Sequence, residues 1–202
     1  MKTKRILAGV IIVLLGGCVP SLHELYTEDT VVFDEALLGK WVHDEEIWQF
    51  DRAAEDKAYN LVITQEEEQK SVLVGHLVKM DNKLFLDLYP GDMELDVGEF
   101  YKMHLLPAHT FLKVDAIEPQ LAIRAMTPDT LEQMLKEKPK LIKHEIIDDR
   151  LVLTASPKEL QAFLKAHADD EDFFGDVAEF SRYVPADPNE AGTADDGSQE
   201  KD

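Results

Sequence analysis

The sequence predicts a mainly β domain in which an antiparallel meander closes into a barrel, with two or three C-terminal α-helices packed outside it. Two observations predict this fold. Apolar and polar residues alternate over the first two-thirds of the central region, which is the period of a half-buried strand, and the links between these stretches are short and polar. Strands joined by such short links pair antiparallel, and a sheet of about six to eight strands with one apolar face tends to curl and close.

The composition limits the class of protein. The 202 residues include 41 Asp and Glu against 21 Lys and Arg, a net charge of −20, with one cysteine and 10 glycines. This excludes disulfide-scaffold and collagen-like proteins. It also argues against a nucleic-acid partner, because affinity for nucleic acids comes largely from cations that neutralise phosphates.

Residues 1–17 have the character of an export signal. Three of the first five residues are basic, and an apolar run over residues 6–17 follows them. As a helix this run would extend roughly 18 Å, well short of the roughly 30 Å hydrocarbon core of a bilayer. We therefore expect a cleaved signal peptide and not a permanent transmembrane anchor.

The apolar run ends in Leu15-Gly16-Gly17-Cys18, which resembles the lipobox of bacterial lipoproteins. The resemblance implies that a signal peptidase recognises Leu15, Gly16 and Gly17, and that Cys18 becomes the acylated N-terminus, with chains such as palmitate. Two or three acyl chains anchor a protein stably in a membrane. Val19 is not the Asp that typically retains such lipoproteins at the inner membrane, so the resemblance implies the outer membrane in a host with two membranes. The alternative is an ordinary secretory signal that happens to end near a cysteine.

Two segments flank the predicted domain at residues 36–184. Residues 18–35 are predicted to be the lipidated N-terminus and a stalk, part of which, Val31-Val32-Phe33, is a candidate for docking on the domain. Residues 185–202 contain no large apolar side chain and six acidic residues, so we expect a disordered acidic tail. Without the basic start the chain carries a net charge of −23, so we expect its surface to repel anionic lipids and attachment to depend on the acyl chains.

The strands are predicted in chain order from the alternation. They are Trp41 to Arg52, Lys57 to Gln65, Ser71 to Met80, Lys83 to Tyr89, Thr110 to Ile117 and Leu121 to Met126. Two sets of side chains each share one face of the sheet: Tyr59, Leu61 and Ile63, and Val72, Val74, Val78 and Met80 with His76 among them.

The last third changes to the period of helices. One helix is predicted to begin at Thr127-Pro128, and another at the capping box that runs from Ser156 to Glu159. Between them, Leu141 to Ile147 and Arg150 to Ala155 flank Asp148-Asp149, which predicts a hairpin.

The segment Gly39-Lys40-Trp41 resembles the Gly-x-Trp entry to the first strand of lipocalin-like domains. The resemblance implies an antiparallel barrel in which Gly39 bends the chain into the strand and Trp41 plugs the closed end. The stretches KLFLDLYP, HLLPAHTFLKV and DDRLVLTASPKELQAFLKAHADD are similar to bacterial lipoproteins of uncharacterised function, which implies no activity.

The sequence contains no catalytic or cofactor motif that we searched for. It lacks a Gly-x-Ser-x-Gly elbow, a His-Glu-x-x-His helix, a Cys-x-x-Cys pair and the glycine loops that bind phosphates or dinucleotides. The single cysteine is assigned to lipid, which disfavours thiol chemistry. We therefore expect a protein that is not an enzyme, with no catalytic residue and no cofactor.

No metal site is predicted either. His76, His104 and His109 would converge only if the strands close around them, and isolated histidines in strands more often form local hydrogen bonds. Asp170 to Gly175 is similar to the start of a calcium loop, but Phe174 and Ser181 stand where oxygen ligands are required. We interpret that segment as a polar exit from a helix.

Two functions follow from where the aromatic residues fall. Inside a barrel they would line a calyx for a small apolar or amphiphilic ligand; alternatively, they fill the core, and the domain serves as a protein–protein interaction module of the cell envelope. The aromatic residues in or next to the strands are Trp48, Phe50, Tyr59, Phe85, Tyr89, Phe100, Tyr101 and Phe111.

Overall fold

The computed structural model describes residues 18–65, 69–92 and 96–184. Eleven strands and three α-helices occur among them. The strands are β1 (Val31–Val32), β2 (Gly39–His43), β3 (Glu46–Arg52), β4 (Ala58–Thr64), β5 (Lys70–Met80), β6 (Lys83–Pro90), β7 (Thr110–Ala116), β8 (Gln120–Ala125), β9 (His144–Ile147), β10 (Arg150–Leu153) and β11 (Ala178–Arg182). The helices are α1 (Glu99–Lys102), α2 (Pro128–Glu137) and α3 (Pro157–His167).

Two of the sequence predictions lie outside the described residues. They are the signal peptide at residues 1–17, with Leu15, Gly16 and Gly17, and the acidic tail at residues 185–202. Among the described residues, no helix has the length and the apolar character needed to cross a bilayer.

Eight antiparallel strands form a closed barrel, as the alternation predicted. Their spatial order is β2-β3-β4-β5-β6-β7-β8-β11, and β11 pairs with β2 to close the ring. Apart from the closing pair of β11 and β2, barrel strands that are adjacent in space are also consecutive barrel strands along the chain. The short strand β1 is additional and pairs with the end of β5, where Val31 faces Val78.

The first predicted strand is wrong in its extent. The stretch from Trp41 to Arg52 is a hairpin of β2 and β3, in which Trp41 faces Trp48 across the pair. The turn includes Asp44, whose φ of 51° is left-handed, a conformation that a short polar side chain tolerates. The polar run from His43 to Glu46 interrupts the alternation at this turn, and Trp41 and Trp48, seven positions apart, share a face only because the chain reverses there.

The eighth barrel strand, β11, was not predicted. It follows the helices in the chain and enters the barrel between β8 and β2. The helices are consequently not C-terminal to the barrel: α2, the β9-β10 hairpin and α3 all lie in the chain between the seventh and eighth barrel strands.

Two clusters of buried apolar side chains lie on the two sides of the barrel wall. The interior cluster consists of Leu37, Trp41, Trp48, Phe50, Tyr59, Leu61, Ile63, Leu77, Leu86, Leu88, Leu112, Val114, Ile117, Leu121, Ile123, Ala178 and Phe180. The outer cluster joins outward side chains of β5, β6 and β7 to α2, α3 and the hairpin: Val19, Leu25, Val78, Met80, Phe85, Phe111, Met126, Leu131, Leu135, Ile142, Leu151, Leu153, Ala155, Leu160, Phe163, Leu164, Ala168, Phe173 and Phe174. These strands are apolar on both faces because the insertion covers their outer face.

The segment expected to be a stalk packs on the domain instead. Val19 and Leu25 are buried in the outer cluster, and Ser21 is fully buried. Further along, β1 pairs with β5, and Phe33 stacks on Tyr59 with ring centroids 4.5 Å apart. Val19 and Leu25 therefore hold the first part of residues 18–35 against the outside of the barrel, and β1 and Phe33 hold the last part against β5 and against the interior cluster at Tyr59. We name residues 19–30 the N-terminal strap.

One end of the barrel is closed around Trp41, which is fully buried. Its indole N–H donates to the Leu37 carbonyl at 2.9 Å, and the Arg182 guanidinium lies 4.2 Å from the ring centroid. Arg182 also donates to the carbonyls of Leu38 and Ala36. These contacts tie the last barrel strand to the turn that precedes the first.

The turn and cap signals of the last third are present. Ser156 and Glu159 form a reciprocal capping box at the start of α3. In the β9-β10 hairpin Asp148 and Asp149 have φ values of 49° and 60°, the pattern of a type I′ turn.

Candidate functional site

The predicted lipid attachment point, Cys18, is the first described residue and lies partly buried against the domain. Burial raises the pKa of its thiol. The next residue, Val19, is 3% exposed. A lipid on Cys18 would therefore be joined to a folded surface without a spacer.

The chain just after this cysteine links the barrel to the hairpin. The Ser21 N–H donates to the His109 carbonyl at 2.9 Å, and the His109 N–H donates back at 2.8 Å. On the other side, the Leu22 N–H donates to the Leu153 carbonyl and the Leu153 N–H to the Pro20 carbonyl, both at 2.9 Å. The beginning of the strap thus lies between the edge of β7 and strand β10.

A buried carboxylate fastens the middle of the strap. Asp87, on the outer face of β6, is 1% exposed. Its Oδ2 accepts the Leu25 N–H at 2.6 Å, and its Oδ1 lies 2.8 Å from Nδ1 of His109. A carboxylate can only accept, so Nδ1 carries the proton. These bonds compensate the burial of the charge.

His76 faces Asp87 from β5 and completes this cluster. Its ring stacks on Tyr26 of the strap, with centroids 4.0 Å apart. Its buried Nε2 is 3.7 Å from Glu55 Oε1, too far for a hydrogen bond, and has no hydrogen-bond partner among the described residues. Burial lowers the pKa of His76, although Glu55 and Asp87 favour its charged form. The neutral imidazole is therefore the form that the fold prefers.

This cluster resembles an acid–base dyad only in part. An Asp-oriented imidazole is a common element of catalysis. Here the strap covers the Asp87–His109 pair, and the hydroxyl of Ser21, which pairs with His109 through its backbone, donates instead to the His23 carbonyl at 2.8 Å. The hydrogen bonds of Asp87, with His109 and with the Leu25 N–H, hold the strap in place.

The three histidines considered for zinc do not converge. His76 and His109 both lie beside Asp87, but His104 is exposed and its Nδ1 is 2.8 Å from the Phe100 carbonyl. Within the described parts of the chain, no group of three or more His, Cys, Asp or Glu side chains is arranged to hold a metal ion.

The segment similar to a calcium loop is a return to the barrel. Phe173 and Phe174 are buried in the outer cluster, and the Gly175 N–H donates to the Ala125 carbonyl at 3.0 Å. The Asp170 carboxylate accepts the Asp172 N–H, as in an Asx turn.

Large apolar side chains point into the barrel interior and pack on one another. Five large aromatic residues contribute to it: Trp41, Trp48, Phe50, Tyr59 and Phe180. Trp48 packs against Phe180 at 5.0 Å and against Phe50 at 6.1 Å between centroids. The Trp48 indole N–H is buried and has no hydrogen-bond partner among the described residues.

The aromatic residues proposed as a calyx are divided between four places. Trp48, Phe50 and Tyr59 point into the barrel, whereas Phe85 and Phe111 belong to the outer cluster. Tyr89 stacks on His109 beside the strap, and Phe100 and Tyr101 are exposed on a loop. Most of these aromatic residues lie in strands, as the alternation predicts, but Phe100 and Tyr101 lie in α1, and the sequence did not reveal which side of the barrel each strand residue faces.

Two clefts lie on the outside of the described structure. The larger, about 810 Å³, is lined by residues 139–145 and by the side of α3, with Leu141, Ile142, Ala162 and Phe163 among its apolar residues and Lys140, Lys143 and His167 among its basic ones. We name it the α3 groove. The smaller, about 530 Å³, is lined by Arg124, Glu171, Asp172, Gly175 and Asp176.

A carboxylate at the rim of the α3 groove is held in its charged form. Glu159 accepts hydrogen bonds from the hydroxyl and N–H of Ser156 and also pairs with Lys143 at 2.9 Å. These contacts lower the pKa of Glu159 to about 2. The base of the hairpin and the start of α3 are thereby tied together beside the groove.

Exposed large apolar side chains are concentrated on one loop. Of the twelve found among the described residues, six lie between residues 97 and 106, in the long connection from β6 to β7: Val97, Phe100, Tyr101, Met103, Leu105 and Leu106. We name residues 97–106 the apolar loop. The sequence predicted Phe100 and Tyr101 of this loop as calyx candidates and did not reveal the exposed apolar patch.

Sequence reasoning also missed Asp87. A signal for it exists, because an acidic residue stands in the middle of the otherwise apolar strand KLFLDLYP. An acidic residue in such a strand must find buried partners or lie at an edge.

No family model matches the chain, and no curated protein and no solved structure matches it either.

Proposed function

We propose that this chain is a lipid-anchored protein of the bacterial cell envelope that works without catalysis, as a protein–protein interaction module built on a filled barrel. The anchor is the acylated Cys18, placed in the outer membrane where the host has two membranes. The lipobox at residues 15–18 and the basic, apolar start support this assignment. The position of the α3 groove on the outside of the barrel supports a role in protein–protein interaction.

The single observation that carries the interaction module is the packing of the barrel interior. Its side chains, among them Trp48 and Phe180, occupy the space that a calyx would leave for a ligand. The α3 groove and the cleft beside Arg124 lie outside the barrel. A domain with a filled interior and clefts on its outside is suited to contact partners through its surface.

The partner surface that we propose is the α3 groove together with the neighbouring strand β9. In the described structure β9 pairs only with β10, so its other edge has backbone groups available for a further strand. A groove between an edge strand and a helix suits an extended protein segment, which adds backbone hydrogen bonds to side-chain contacts. Lys140 and Lys143 in the groove lining are matched by Glu145 and Glu159, and Lys143 pairs with Glu159, so the groove selects its segment by backbone pairing and apolar contact and not by charge.

Kinship with lipocalin-like domains is part of the proposal. It is supported by the sequential order of the eight barrel strands, by the entry Gly39-Lys40-Trp41 and by the buried Trp41 at one end. Gly39 has a φ of 109°, which only glycine adopts readily. The helical insertion between β8 and β11 differs from the arrangement that the resemblance implied.

Binding of a small apolar or amphiphilic ligand inside the barrel is the second candidate. The observation that favours it is the buried indole N–H of Trp48, a donor without a partner inside the barrel among the described residues. Burying such a group without a hydrogen bond is costly.

The experiment that tests the anchor is intact-mass analysis of the native protein. We expect cleavage before Cys18 and a mass increase equal to two or three acyl chains with glycerol. The Cys18→Ser variant should remain as unprocessed precursor. An unmodified Cys18 at a mature N-terminus would remove the lipoprotein assignment.

The experiment that tests the module is site-specific photo-crosslinking in the native host. A photoreactive side chain at Ala166, which lines the α3 groove, should capture a defined envelope protein. The same side chain at Glu118, exposed in the turn between β7 and β8, is the matched control and should capture none. Equal capture at both positions, or at neither, would contradict the proposed surface.

A further inference from the structure

The apolar loop exposes more apolar surface than a protein normally leaves in water. Phe100 is 76% exposed, Met103 79% and Leu106 74%. Exposed apolar patches of this kind mark contacts with another protein or with a membrane. We therefore expect the apolar loop to contact either another protein or a membrane.

The charges within the loop neutralise each other. Glu99 and Lys102, on either side of Phe100 and Tyr101 in α1, form an ion pair of 2.8 Å. The ring of His104 is tied back to the Phe100 carbonyl. The patch thus presents aromatic and aliphatic side chains with a paired charge, which is a composition suited to the interface between lipid headgroups and acyl chains.

The covalent structure limits how far the loop can be from the lipid anchor. Ser21 is paired with His109 through two backbone hydrogen bonds. Three Cα–Cα steps lead from Cys18 to Ser21, and three lead from Leu106 to His109. Since consecutive Cα atoms are about 3.8 Å apart and paired strands about 5 Å, the Cα atoms of Cys18 and Leu106 are at most about 28 Å apart.

Because the strap packs on the domain directly after Cys18, no extended spacer separates the acylated residue from the domain. Val19 and Ser21 are buried, so the chain does not extend as a stalk after the acylated residue. A domain of this size is about 40 Å across. A lipid on Cys18 therefore holds the domain at the bilayer surface, with the apolar loop within reach of it.

We propose that the apolar loop is a second membrane contact, which inserts Phe100, Met103 and Leu106 into the interfacial layer of the bilayer that anchors Cys18. The proposal rests on the proposed lipid anchor and commits to lipid as the occupant. The net charge of −23 on the chain from Cys18 onward opposes anionic headgroups, so the loop contacts zwitterionic lipid best.

The test places an indole in the loop of the acylated mature protein. Phe100→Trp is compared with Val184→Trp, which follows β11 at the opposite end of the barrel and is 80% exposed in the native residue. The native Trp41 and Trp48 are buried and give a constant background. Both variants are reconstituted in vesicles of phosphatidylethanolamine and phosphatidylcholine, with or without bromine on the acyl chains.

We expect brominated lipid to quench the emission of the Phe100→Trp indole at least twofold and to leave the Val184→Trp indole unchanged. An indole at position 100 that brominated lipid does not quench, and that acrylamide in the water quenches as it does without vesicles, overturns the proposal. Protection in native membranes but not in protein-free vesicles overturns it in favour of a protein partner.

A second measurement separates the loop from the anchor. The mature chain with Cys18→Ser carries no lipid, and we expect it still to partition into the zwitterionic vesicles. Phe100→Asp with Leu106→Asp should lower the partition coefficient at least tenfold, whereas Val184→Asp should not change it. All three positions are exposed, so the substitutions leave the core intact, which circular dichroism verifies.

The two failures are distinguishable. An unmodified Cys18 in the intact-mass analysis with partitioning retained would remove the anchor and support the loop contact. An acylated Cys18 with no quenching at position 100 would keep the anchor and overturn the loop contact.

Discussion

At the scale of single residues, Trp41 joins the first and last strands of the barrel. It is fully buried, donates to Leu37 and lies under the Arg182 guanidinium. Removing its ring leaves a cavity that neighbours on both sides line. We expect Trp41→Ala to lower the free energy of unfolding by about 3 to 5 kcal/mol, measured by urea denaturation.

The matched control is Phe100→Ala, which truncates an aromatic side chain that is 76% exposed. We expect it to change the free energy of unfolding by less than about 0.5 kcal/mol. Equal effects of the two substitutions would contradict the role of Trp41 in closing the barrel.

The buried imidazole of His76 should make the fold sensitive to mild acid. Its pKa is lowered from 6.5, mainly by burial, while Glu55 and Asp87 oppose that shift and His109 adds to it. The unfolded chain binds the proton near pH 6.5 and the folded chain only at lower pH, so this contribution to stability is fully present above pH 6.5 and is lost as the pH falls below it. We expect urea midpoints to fall between pH 7 and pH 5, and His76→Gln to reduce that fall.

The exposed His104 provides the control for this titration. His104→Gln replaces a histidine without removing the buried imidazole of His76, so this variant should keep the pH dependence of the native chain. A His76→Gln variant with an unaltered pH profile would show that another group causes the acid sensitivity.

Only part of the residue-scale picture could be predicted from the sequence. Cys18 and Trp41 stand in short motifs whose meaning is local, so the sequence could single them out. Asp87, His76 and His109 form a cluster only because β5, β6 and β7 are adjacent and the strap covers them. Such a cluster depends on contacts between residues far apart in the chain, which no local pattern shows.

At the scale of elements, substitutions in the strap test whether residues 18–35 are docked on the domain or extended as a stalk. Leu25 is fully buried in the outer cluster, whereas Leu22 in the same segment is 38% exposed. We expect Leu25→Ala to cost about 2 to 5 kcal/mol of unfolding free energy and Leu22→Ala less than about 0.5 kcal/mol. Denaturant unfolding of both variants checks this, and two equally small effects would restore the stalk.

The elements that the sequence predicted share a strong local signal. The capping box at Ser156 and the turn at Asp148-Asp149 specify their own geometry, and β4 to β8 follow from alternation. The hairpin between β2 and β3 was missed because its turn at Asp44 contains neither Gly nor Pro, although the polar run from His43 to Glu46 interrupts the alternation there. Strand β11 was missed because it is short and receives its two partners from distant parts of the chain.

The sequence could not show whether the apolar face of each strand points into the barrel or outward. Val78 and Met80 share an apolar face, and so do Leu61 and Ile63, but the first pair faces the helical insertion and the second the interior. Alternation identifies an apolar face and not what covers it.

At the scale of the whole molecule, the barrel depends on its last strand for closure. Truncation after Val184 removes residues 185–202, which hold no large apolar side chain, and should leave the melting temperature within about 2 °C. Truncation after Asp176 removes β11 and opens the ring between β2 and β8. We expect the second variant to lose cooperative thermal unfolding, measured by circular dichroism.

A melting temperature that falls by several degrees after the first truncation would show that the tail docks on the domain. A cooperative transition retained after the second would show that the ring of eight strands is not needed for the fold.

The central claim is that the barrel is filled and that the protein acts through its outer surface. The most direct test is a titration of the unlipidated Cys18→Ser chain with a fluorescent fatty acid and with a neutral amphiphile, following ligand emission and the emission of the buried Trp48. We predict no saturable change in the emission of Trp48, because Phe50 and Phe180 pack against its ring in the barrel interior. Saturable uptake with one ligand per chain and a shift in Trp48 emission would contradict the account and make the barrel interior the binding site.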